Sequence, residues 1–134
     1  MIDIEADIYD RCARAVLSEY PDCLTSAVNV AAPASFPAAS IVEADCSVDS
    51  SRSDSGGIEN AALVAYDVKV FSNLRRNARG QAKKILAVID GELASLNFRR
   101  TYRYQGAMGT DPSVYQITAR YVAGVDKNGK LYRR

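Results

Sequence analysis

The sequence predicts an α+β domain: an antiparallel sheet of four or slightly more strands, with two helices packed on one face. Three observations lead there. Two stretches repeat apolar residues at helical spacing, and four stretches alternate apolar and polar residues. Their order is helix, two strands, helix, two strands, and a tail. Strands joined only by a loop pair antiparallel, because a parallel pair needs a crossover between its members. At 134 residues and 14.5 kDa the chain reads as a single domain, residues 1–134. A chain of this size buries roughly two-thirds of its unfolded surface, so its core needs no metal or disulfide support.

The first helix is expected over Ile2 to Tyr20. Ile4, Ile8, Cys12, Ala15 and Val16 form its apolar stripe, Asp3, Glu5 and Asp7 complement the helix dipole, and Pro21 stops it. Residues 22–37, with Pro33 and Pro37 among small residues, read as loop. Ser40 to Val48 alternates, with Val42, Ala44, Cys46 and Val48 expected inward and Glu43 and Asp45 outward. Residues 49–57, Asp-Ser-Ser-Arg-Ser-Asp-Ser-Gly-Gly, are too polar to bury a core and are expected to form a mobile loop. From Asn60 to Ser72, Ala62, Val64, Tyr66, Val68 and Val70 face one way, Asp67 and Lys69 the other. A second helix is expected across residues 75–96, its stripe running from Ala82 through Ile85, Leu86, Ile89 and Leu93 to Leu96, with Asn97 as C-cap. Phe98 to Gln105 and Val114 to Val125 are expected to pair antiparallel, with Tyr102 and Tyr104 opposed to Arg99 and Arg103, and Arg100 interrupting the alternation. Asn128-Gly129 is a tight-turn signal, so Lys130 to Arg134 folds back as a short last strand.

Composition removes several function classes. Seventeen Lys and Arg against sixteen Asp and Glu leave a net charge of +1, unlike a domain held on nucleic acid by bulk charge. With no histidine there is no His triad, His base or His metal ligand. No run of eighteen apolar residues occurs, so no membrane span is expected. Cys12, Cys23 and Cys46 contain no CxxC pair and read as reduced thiols, with Cys12 and Cys46 as small core residues. The acidic Met1–Asp7 segment is unlike a signal peptide, which predicts synthesis in a cytoplasm.

No nucleophile–base pair, phosphate loop or metal-ligand spacing stands out, so neither an enzyme nor a cofactor is expected. Glu5, Asp7 and Asp10 read as a solvated helix end. The basic run Arg75, Arg76, Arg79, Lys83 and Lys84 is either a solvated turn or a contact for an acidic partner. The sheet's second face is expected to carry Glu43, Asp45, Asp67, Lys69, Arg99, Arg103 and Arg120. So polar a face must meet water or a partner. Eight tyrosines and no tryptophan add residues that populate interfaces, and subunit assembly follows as an expectation.

Several strings in order carry a family resemblance. Arg52-Ser-Asp-Ser and Glu59-Asn-Ala-Ala-Leu-Val-Ala-Tyr-Asp-Val-Lys-Val-Phe-Ser-Asn73 come first. Gly80-Gln-Ala-Lys-Lys-Ile-Leu-Ala-Val-Ile-Asp90 and Leu96-Asn-Phe-Arg-Arg-Thr-Tyr102 follow, then Val114-Tyr-Gln-Ile-Thr-Ala-Arg-Tyr-Val-Ala-Gly124 and Gly129-Lys-Leu-Tyr-Arg-Arg134. Across roughly residues 38–134 the chain resembles the tail-terminator, or tail-completion, proteins of long-tailed bacteriophages. The resemblance implies a structural virion protein of the tail or neck, made in the host cytoplasm. It implies a hexameric ring that ends tail-tube growth and joins the tail to the head connector. Its implied partners are further copies of itself, the tube protein, the connector protein, and genomic DNA sliding through the lumen without sequence-specific binding. Expected assembly or lumen contacts are Arg52 and Asp54 in the polar loop, Asp67, Lys69, Arg99, Arg103 and Arg120 on the sheet, and Arg75, Arg76 and Arg79. The last three match no motif of the family, so no family role passes to them. The alternative within the virion is a head–tail connector or tube-type ring subunit. A small enzyme and a host-targeted binding module are the alternatives outside that role.

Overall fold

A computed structural model describes residues 3–28, 33–48, 61–108 and 111–133. The order of elements is α1 (Glu5–Glu19), β1 (Leu24–Ser26), β2 (Ala38–Val48), β3 (Ala61–Ser72), α2 (Ala78–Ser95), β4 (Arg99–Met108), β5 (Asp111–Asp126) and β6 (Leu131–Tyr132). The fold is α+β, with two helices and an open, mostly antiparallel sheet of six strands. The sheet runs β1-β2-β3-β5-β4, and β6 pairs with β5. The two strands beyond the expected four are short. β6 is the expected fold-back after Asn128-Gly129, where Gly129 takes φ 81°. β1 lies within the segment read as loop and pairs parallel with Ala38–Ser40 of β2.

Why the core forms is clearest in β3. Val64, Tyr66, Val68 and Val70 enter one buried cluster with Ile117, Ala119, Tyr121 and Ala123 of β5, which lie in register beside them. Ile8, Cys12 and Val16 of α1 and Ala82, Ile85, Leu86, Ile89 and Leu93 of α2 cover the same cluster. Both helices therefore close one side of the sheet. Tyr66 meets Phe98 edge to face at 5.5 Å, a geometry that adds about 1 kcal/mol to the burial of the two rings.

The end of α2 is a Schellman motif. Phe98 N–H donates to Leu93 O and Asn97 N–H to Ala94 O, while Asn97 takes φ 70°. Asn97 Nδ2 also donates to Leu131 O at 3.2 Å, tying the helix end to β6. At its other end α2 begins at Ala78 rather than at 75, so Arg75 and Arg76 occupy the preceding turn.

Two strands depart from the expected phase. In β2 it is Ala39 and Ile41 that enter the core, not Val42, Ala44, Cys46 and Val48. The register shifts between Glu43 and Asp45, a bulge at Ala44. Before it Glu43 stands opposite Tyr66 on the helix side, and after it Asp45 stands opposite Ala65 on the second face. Cys46 stands opposite Val64 on the helix side, as expected, but is exposed rather than part of the core. In β4 the register shifts between Arg100 and Tyr102. Arg100 pairs with Tyr121 and Arg103 with Ala119, so both face the helix side, while Tyr102 and Tyr104 face away. The expected placements of Glu43 and Arg103 on the second face are thus overturned by one extra residue in each strand.

Candidate assembly surface

The described helices leave the second face of the sheet uncovered. Its centre is Asp67 on β3 opposite Arg120 on β5. Arg120 donates from Nε to Asp67 Oδ1 at 2.8 Å and from Nη2 to Oδ2 at 3.0 Å, a two-pronged pair. That bonding, more than the charge of Asp67 alone, raises the affinity of the Arg120 guanidinium for its proton. Arg120 also lies 5.9 Å from the centre of the Tyr102 ring. Lys69 stands one alternation along β3, opposite Thr118. Asp45, Ser47, Leu63, Ala65, Arg99 and Val122 surround a shallow depression of about 270 Å³. Tyr102 and Tyr104 are 46% and 72% exposed, which leaves two aromatic side chains in solvent on one strand. At one end, Phe36, Ala38, Phe71 and Val114 form a small separate apolar cluster.

The structure thus brings Asp67, Lys69, Arg99 and Arg120 onto one face and sets Arg103 on the other side of the same sheet. Arg75, Arg76 and Arg79 are exposed around the start of α2, away from that face. No acidic residue lies in the first turn of α2, and Asn77 makes no side-chain cap, so the arginines sit against the positive end of the helix dipole. Arg52, Asp54 and the expected polar loop 49–57 lie outside the described residues.

No protein-family model matches the chain, and no curated protein matches it.

Two features escaped the sequence reading. Asp3 and Glu5 at the start of α1 converge with Glu43 of β2, their carboxylates all within 4.8 Å of one another. Burial, then the like charges of Glu5 and Asp3, raises the pKa of Glu43, with a smaller opposing effect from the Tyr66 hydroxyl. That hydroxyl is buried and makes no hydrogen bond of full geometry, and burial followed by the charge of Glu43 pushes its pKa up. The second feature is the pair of sheet edges. β1 pairs with β2 only at Ala38–Ser40, and no described strand covers β2 beyond Ser40 or the outer side of β4. The one signal for the β4 bulge was Arg99-Arg100, two charged neighbours where alternation calls for one.

On the helix side, Asp90 Oδ1 accepts from Tyr121 Oη at 2.7 Å and from Arg100 Nη1 at 3.1 Å. Burial, then the bond to Asp90, pushes the Tyr121 pKa up. Arg11 reaches Glu92 at 3.5 Å across the two helices. The two ion pairs, Arg100–Asp90 and Arg11–Glu92, are partly exposed and contribute about 0–1 kcal/mol each. No described helix is long and apolar enough to cross a membrane.

Proposed function

We propose that the protein is a structural subunit of a long-tailed phage virion, a tail terminator. Copies form a hexameric ring that stops growth of the tail tube and joins the tail to the head connector, and DNA passes through the lumen. The reading rests on the sequence resemblance, and the observation that carries it furthest is the uncovered second face. A two-layer domain that leaves a long sheet open on one side has a surface made for a lumen or a neighbour. Asp45, Asp67, Lys69, Arg99 and Arg120 mix both signs there, and the Asp67–Arg120 pair neutralises its own centre. A mixed lining lets DNA slide, whereas a uniformly basic one would hold it through counterion release. The protein does no chemistry and binds no cofactor in this role.

The sheet also has two unlike ends. Ser72, Ala38 and Gly106 lie at one, beside the turn that carries Arg75 and Arg76. The ends of β2 and β3 that residues 49–60 join lie at the other, with β6. A ring between a tube and a connector needs two different faces, and the basic turn suits an acidic rim on one of those partners. Light scattering of growing tail tubes tests the role. Far fewer copies of the terminator than of tube protein should halt elongation. Undiminished growth at equimolar terminator would remove the reading.

A further inference from the structure

We infer that copies of this chain join head to tail by sheet extension, the acidic edge of β2 on one copy pairing with the basic edge of β4 on the next. This deepens the ring reading by naming the contact between copies, and its test needs no tail tube.

Among the described residues both edges are open, and their charges are opposite. Every charged residue of Ala38–Val48 is acidic, Glu43 and Asp45, and every charged residue of Arg99–Met108 is basic, Arg99, Arg100 and Arg103. Charges on exposed edges commonly discourage stray pairing, and either sign serves that end. Opposite signs on the two edges do more. A two-fold pairing of β2 with β2 sets Glu43 and Asp45 against like charges, and β4 with β4 sets arginines against arginines. Only the unlike edges attract, which selects a heterologous contact, the kind that closes into rings or runs on as filaments.

Strand direction agrees. β2, β3, β5 and β4 alternate in direction along the sheet, so β2 and β4 of one copy are antiparallel. Neighbours related by rotation about an axis along the strands then present β4 and β2 to one another as an antiparallel ladder.

Charge and side chain direction also set a register. Glu43 lies on the helix side within a cluster of like charge, and Arg103 lies on the helix side with no ion pair among the described residues. Placing Glu43 opposite the neighbour's Arg103 brings a cation to that cluster. With the bulges at Ala44 and Thr101 left unpaired, Asp45 then falls opposite Tyr102 and Ser47 opposite Arg99, each pair sharing the second face. The contact starts at Ile41, where β1 stops covering β2.

Sedimentation velocity on the full chain, over a concentration series, tests the inference. Wild type should self-associate, and Glu43→Lys and Arg103→Glu should each weaken association by about tenfold or more per contact. An equimolar mixture of the two variants should recover association, because alternating copies restore unlike pairs at every contact. Glu43→Gln, which relieves the acidic cluster while keeping the side chain's shape, should weaken association less than the reversal. Circular dichroism confirms that each variant folds. A wild type that stays monomeric throughout, loss on changing Glu43 with none on changing Arg103, or a mixture of folded variants that fails to recover would each overturn the inference.

Discussion

Each of the three thiols has a different surrounding. Burial pushes the Cys12 pKa up to about 12, reinforced by the charge of Glu92, and burial pushes Cys23 up to about 11. Cys46 is exposed, in the end of β2 where every residue from Ala44 to Val48 is exposed. A disulfide-exchange reagent should therefore modify one thiol per folded chain quickly, Cys46, and the other two only on unfolding. Peptide mapping of the labelled protein checks the assignment, and rapid labelling of Cys12 would contradict the burial. The shifts also have a stability consequence. A thiol whose pKa is raised by folding favours the fold fully below its unfolded pKa of 9.0, and that contribution is lost as pH rises through the folded value. Tyr66 and Tyr121 act in the same direction from about pH 10 upward. Urea midpoints should accordingly hold steady to about pH 9 and fall above it, and Cys12→Ala should flatten the first part of that fall.

Elements were legible in the sequence to the degree that they kept one phase. β3 alternates without interruption from Ala62 to Val70, and each of those residues lies where alternation placed it. The stripe of α2 from Ala82 to Leu93 is likewise the buried one. β2 was misread before its bulge and β4 beyond its own. One unpaired residue, Ala44 or Thr101, puts the two parts of its strand out of phase, and no residue type marks a bulge reliably. In β2 the alternation of Val42, Ala44, Cys46 and Val48 was itself misleading, because apolar and polar residues occupy both sides of an edge strand. β1 escaped because its three residues hold their conformation through pairing with β2, not through any local preference. Two predictions belong at this scale. Asn97 holds a left-handed conformation and bonds to Leu131 O, so Asn97→Ala should cost about 1–2 kcal/mol in urea unfolding. Arg79 opposes the dipole at the start of α2, so Arg79→Glu should raise stability by several tenths of a kcal/mol. If tube capping is lost in that more stable variant, the basic turn is a contact surface rather than a solvated one.

At the scale of the molecule, the two sides of the sheet differ in what they bury. The helix side collects the large buried side chains, Tyr66, Tyr121, Ile85, Ile89 and Leu93 among them, and supplies the stability. The other side keeps charges, tyrosines and a shallow depression in solvent, at no evident benefit to a lone subunit. The polar character of that side was legible from Asp67, Lys69, Arg99 and Arg120. The assignment of Glu43 and Arg103 to the helix side was not, and it is that assignment which places them where neighbouring copies would meet. The proposed ring is the central claim, and negative-stain electron microscopy of the protein mixed with the tube protein encoded beside it tests it most directly. The account predicts tubes of limited length, each closed at one end by a single distinct ring. Tubes with bare ends, or long tubes built by this protein alone, would contradict it.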